Sequence, residues 1–173
     1  DENLAPESDI DLRLDFQATG YHDFQFLSLT TSPDYAAFGN ENVQMTISGN
    51  GNLGFDTYGP NWEGTGFRYF SDTLLTYTGL MIATSSSSVS DNIIDQYLSY
   101  ARDEDFDVAQ YYKLSHHQGA DFFGSSSFTD SQHPLLIEQS NLAWEGDDFL
   151  IVKYRLVNTS AIAINDLHLG AFA

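Results

Sequence analysis

The sequence predicts an all-β protein: a single antiparallel β-sandwich of nine or ten strands, with a long irregular excursion around residues 85–133. Three observations carry that expectation. Apolar and polar residues alternate with period two in several stretches, the pattern of a strand with one buried side. Aromatic residues make up 14% of the 173, led by Phe and Tyr, which suit a pleated, half-buried surface. Between the alternating stretches lie clusters of Gly, Asn, Ser and Pro, the residues that build turns.

In chain order, residues 1–9 are acidic and carry Pro6, a flexible lead-in, and one domain is expected over 10–173. Ile10–Phe16 alternates apolar with charged residues, and Phe24–Leu29 lies a short link away, so the two are expected as antiparallel neighbours. Val43–Ser48 alternates again and runs into Gly49-Asn50-Gly51-Asn52, a turn or bulge where positive φ is accessible. Phe55–Thr65 reads as a loop broken at Gly59-Pro60-Asn61. Gly66–Phe70 and a longer, mostly apolar Leu74–Thr84 read as strands, and Ser85–Ser88 as a polar loop. Ile93, Ile94, Tyr97, Leu98 and Ala101 have a spacing near 3.6, which allows one short helix. Ser115–His133, with two glycines and three consecutive serines, reads as a long loop. Leu135–Trp144 is a strand. Phe149–Val157 and residues 163–173 are expected to pair as a central β-hairpin about the polar turn Asn158-Thr159-Ser160. That triplet formally meets the N-glycosylation pattern but reads as a turn.

Charge narrows the partners. Six Lys and Arg stand against 25 Asp and Glu, a formal charge of −19, so a phosphate backbone or an anionic membrane surface is repelled. No apolar run is long enough to span a bilayer, and the chain does not open with the basic start and apolar segment of a signal peptide. Cysteine is absent, which leaves neither a disulfide framework nor thiolate chemistry.

The carboxylates of Asp103, Asp105 and Asp107, joined by Asp148 where the fold brings the loops together, are the candidate ligands for Ca²⁺, which takes six to eight oxygens. The run lacks the glycine and distal Glu of an EF-hand, and a solvated acidic loop accounts for it as well. His116-His117, with Asp121 and His133 in the same region, invites a zinc reading. Adjacent histidines diverge on a strand, however, and no His-Glu-x-x-His is present, so a structural or surface role is expected. Serines are plentiful, yet none lies in Gly-x-Ser-x-Gly, and no phrase marks a catalytic Ser, His or Asp. Trp62 and Tyr58, flanked by the loop formers Asn61, Glu63 and Gly64, are the candidate aromatic platform for a sugar or peptide ligand.

A family pattern also appears. The run Asp148–Ser160 followed by Leu167–Ala173, with Gly51–Phe55, Gly66–Tyr69, Leu80–Thr84 and Val89–Asn92, resembles a β-rich region beyond the catalytic domain in some large secreted subtilisin-like serine peptidases of marine bacteria. The resemblance covers roughly residues 43–173 and carries no catalytic signature. It implies a secreted, non-catalytic accessory domain whose partners are a neighbouring domain of the same polypeptide and a protein or polysaccharide substrate. A carbohydrate-binding module built on Trp62 and Tyr58 is the alternative. In the family pattern the last strand continues into an acidic, Trp-containing phrase. Residues 163–173 are therefore expected beside a strand whose partner is missing or supplied in trans.

Overall fold

The computed structural model describes residues 9–18, 21–30, 35–55, 64–75, 77–92 and 104–172. No helix forms among the described residues. Contacts divide the chain into two units, Asp1–Asp34 and Tyr35–Ala173.

The first unit holds β1 (Asp9–Ala18) and β2 (Tyr21–Thr30), paired antiparallel in unbroken register from Asp9 opposite Thr30 to Ala18 opposite Tyr21.

The second unit is a sandwich. One sheet has eight strands: β3 (Tyr35–Gly39), β4 (Val43–Ser48), β5 (Asn52–Leu53), β6 (Phe67–Tyr69), β7 (Asp72–Leu75), β8 (Thr78–Ser85), β9 (Ser88–Ser90) and β14 (His168–Phe172). The other is a four-stranded meander of β10 (Phe106–His117), β11 (Ala120–Asp130), β12 (Leu135–Ala143) and β13 (Leu150–Asn158). The sheets meet through alternating residues, most clearly on β12, where Leu135, Ile137, Gln139, Asn141 and Ala143 are buried and the residues between them are half-buried. Leu80 and Ile82 of β8 pack there with Phe106, Phe128, Leu135 and Ile137. A second cluster joins Phe38, Met45, Ile47 and Leu53 of the larger sheet to Ala143 of the smaller. Burying each such side chain contributes about 1.5–3 kcal/mol, which makes these clusters the main support of the two-layer form.

Two glycines are required by this packing. Gly51 has φ +88°, and a Cβ there would stand 2.9 Å from the Phe128 ring. Gly124 lies under Tyr112, whose hydroxyl occupies the place a Cβ would take.

The described residues form twelve strands in the sandwich, more than the nine or ten expected, and the expected elements are changed most in three places. Most of the expected excursion is strand: β10 and β11 form a long hairpin within it, kept from flatness by register shifts between Val108 and Gln110, Gln110 and Lys113, and Ser115 and His117. The glycine and serines that read as a loop sit in β11, where pairing to β12 on one side and β10 on the other outweighs their weak strand preference. The expected terminal hairpin does not form either. β13 pairs with β12, whereas β14 crosses to the other sheet and pairs with β8 from His168 opposite Ala83 to Phe172 opposite Gly79. The link between them, residues 159–167, is too long for a tight hairpin turn, and it carries the chain from one layer to the next. Finally, the single strand expected over Leu74–Thr84 is two, β7 and β8, in different parts of the larger sheet. The short helix expected at 93–101 lies outside the described residues.

Candidate functional site

The densest polar cluster stands where the β8–β9 hairpin meets the turn between β11 and β12. Asp130 closes β11, and its Oδ1 accepts the backbone N–H of Gln132 (2.8 Å) and of His133 (3.1 Å), a local carboxylate-capped turn. This turn presents the His133 ring to its own carboxylate, with Nδ1 2.8 Å from Asp130 Oδ2. Ser90 of β9 donates its hydroxyl to Asp130 Oδ1 (2.7 Å) and lies 3.2 Å from His133 Nδ1. On the far side of the ring, Nε2 is 3.1 Å from Ser88 Oγ and 3.2 Å from Thr84 Oγ1. Ser90, Asp130 and His133 are all buried.

The sequence Asp130–His133–Ser88 has the atoms of an acid, a base and a hydroxyl in hydrogen-bonded order. Each nitrogen of His133 lies within hydrogen-bond distance of two oxygens, and the residue is 7% exposed. What the cluster does is join strands of both sheets: β8 and β9 on one side, the β11–β12 turn on the other.

Asp105 flanks this node. Its carboxylate accepts Ser131 Oγ (3.4 Å), Gln132 Nε2 (3.0 Å) and the N–H of Asp91 (3.3 Å), and its backbone carbonyl accepts the N–H of Ser131 (2.8 Å). Asp107 is exposed on β10, opposite Thr129. Asp148 belongs to the other end of the sandwich. There its Oδ2 accepts the Tyr69 hydroxyl at 3.3 Å, and its negative charge pushes the Tyr69 pKa up from the ordinary value. At the same end Asn40 Nδ2 donates to the carbonyls of Trp144 and Asp147, Asn42 Nδ2 donates to that of Gly146, and the Glu145 N–H donates to Asp121 Oδ2.

Asp105 precedes Phe106, which pairs with Asp130 at one end of the meander, while Asp148 adjoins the Ala143–Leu150 pair at the other. The nine residues of β12 separate the two ends, about 27 Å at the rise of an extended strand. Asp105 and Asp148 are therefore not brought to one ion. Among the described residues no three His, Asp or Glu side chains converge as a metal cradle. Asp103, Tyr58 and Trp62 lie outside the described residues. His117 stacks on Phe123 with ring centroids 4.7 Å apart, and His133 is the hub of the buried node.

Ser88, Ser90, Thr84 and Asp130 were not singled out by sequence. The available signal was Asp130-Ser131-Gln132-His133, an acid able to cap its own turn three residues before a histidine. No protein-family model, curated protein or solved structure matches the chain.

Proposed function

We propose that this chain is a non-catalytic accessory β-sandwich of a secreted bacterial protein, working beside a subtilisin-like serine peptidase domain in support of its stability or substrate engagement. The observation that carries the reading is β10. This edge strand of the smaller sheet exposes most of its length, including Tyr111 at 54% and Leu114 at 59%, and pairs on one side only among the described residues. β14 is likewise an edge strand of the larger sheet, with Leu169 at 57%. Edges of this kind leave backbone donors and acceptors open to a neighbour, and bulges such as those in β10 restrain indiscriminate pairing.

The test is a tethered pair: a subtilisin-like catalytic domain produced with and without this chain in the same polypeptide. The expected result is a longer half-life at elevated temperature, or higher turnover of an insoluble protein substrate, when the chain is present. Identical half-life and turnover would remove the accessory role. The alternative, a carbohydrate-binding module, rests on Trp62 and Tyr58, which lie outside the described residues.

A further inference from the structure

The inward residues of β12 fix which side of the meander faces solvent, and the strand register then sets out that outer face as four cross-strand ranks. One central rank reads Lys113, Ser125, Ser140, Lys153. In the next, Ser127 and Glu138 stand between Gln110 and Arg155. Lys113, Lys153 and Arg155 are three of only six cationic residues in a chain of net charge −19. Within the four ranks just two of the 25 acids occur: Asp107 at a corner, and Glu138, which Arg155 engages at 2.6 Å. Neither lysine has a carboxylate partner among the described residues. Three of the chain's six cationic residues thus share one face that, among the described residues, holds two acids.

The net charge of −19 repels a polyanion at long range, but at about 0.15 M salt that field is screened beyond roughly 8 Å and contact is governed by the local face. There the geometry points to a docking surface for an acidic polysaccharide, a glycan bearing carboxylate or sulfate groups. Lys113 and Lys153 close a rank about 14 Å wide at the spacing of paired strands, and the serine hydroxyls between them both donate and accept hydrogen bonds. Leu142 and Ile151 border that rank, supplying apolar surface for the C–H face of a sugar ring. An acidic peptide fits less well. The interior of a sheet has its backbone groups committed to neighbouring strands, so the face offers side chains alone, and peptides that bind sheets gain most from main-chain bonds at an edge. The proposal takes the accessory role as its setting, names the substrate class, and uses residues separate from Tyr58 and Trp62.

Native electrophoresis through gels carrying immobilised alginate, dextran sulfate, neutral dextran or poly-glutamate tests it on the full chain. Retardation by alginate or dextran sulfate and none by neutral dextran is the expected result, with retention at least tenfold weaker in the double variant Lys113→Gln/Lys153→Gln. Both lysines are exposed, so the variant should keep the parent's thermal midpoint, and Ser125→Ala/Ser140→Ala should lower retention by a smaller factor. The proposal is overturned by no retardation on either acidic glycan, by undiminished retention of a folded double variant, or by tighter retention on poly-glutamate. Self-association lost in the double variant would instead assign the face to a second copy of the chain. Because the gel reads the isolated chain, its failure concerns this face, whereas failure of the tethered pair concerns the accessory role.

Discussion

At the scale of single residues, the interior of the sandwich is more polar than its alternation suggests. Ser126, Gln139 and Tyr154 form an inward rank across β11, β12 and β13, with Asn141 in the adjacent rank. Gln139 Nε2 reaches the carbonyl of Ser48 in the opposite sheet (3.2 Å), yet Gln139 Oε1, Asn141 Nδ2, Ser126 Oγ and Tyr154 Oη find no partner among the described residues. A buried hydroxyl left unmatched costs about 1–3 kcal/mol. Tyr154→Phe, which removes the hydroxyl and keeps the ring, is therefore expected to stabilise the chain by about 1 kcal/mol, read as a higher midpoint in urea. A lower midpoint would show that the hydroxyl has a partner worth more than its desolvation. Sequence reading could not reach this rank, because Gln139 and Asn141 follow the correct period for inward positions while having the wrong polarity. It did reach Asn158-Thr159-Ser160 as a turn: Asn158 Oδ1 accepts both the N–H and the hydroxyl of Ser160 at 2.9 Å.

At the scale of elements, strands with strict alternation and a clear turn on either side were legible. Val43–Ser48, Phe67–Tyr69, Leu135–Ala143 and Leu150–Asn158 all fall where periodicity puts them. β3 was not, since Tyr-Ala-Ala-Phe-Gly shows neither branching nor alternation and is held in place by its pairing to β4. Pairing partners were the harder quantity, because one ladder reads much like another along a single strand. The placement of the acidic elements has its own test. Asp105 and Asp148 cap opposite ends of the meander, so the calcium expectation drawn from sequence rests on the Asp103–Asp107 run alone. Thermal unfolding in millimolar Ca²⁺ against EGTA at matched ionic strength should show a rise in midpoint that Asp105→Asn abolishes and Asp148→Asn preserves. No rise in the parent chain would remove Ca²⁺ as a ligand of this fold.

At the scale of the whole molecule, two buried phenols set the alkaline limit of stability. Burial raises the pKa of both Tyr112 and Tyr154 above the ordinary 10.0. Each holds its proton more tightly when folded, so above about pH 10 the unfolded chain loses protons that the folded chain keeps, and the equilibrium moves toward unfolding. Stability from these groups is intact below pH 10 and falls as pH rises beyond it. Urea midpoints measured from pH 8 to 11.5 should decline on the alkaline side, and the decline should be shallower in Tyr154→Phe. A parallel decline in both proteins would place its origin elsewhere.

The crossing of the last strand into the far sheet has a consequence for how the chain is made. The meander joins only neighbours in sequence, β10 to β11 to β12 to β13, and can assemble as soon as those residues leave the ribosome. β8 is different, because its partner β14 lies far along the chain and is the last strand among the described residues. At ~5–20 residues per second, the residues between them take roughly 4–17 s to synthesise. During that interval one flank of β8 has no native strand to pair with. Slower translation between β8 and β14 would lengthen the time for which the Gly79–Ala83 flank is open to mispairing.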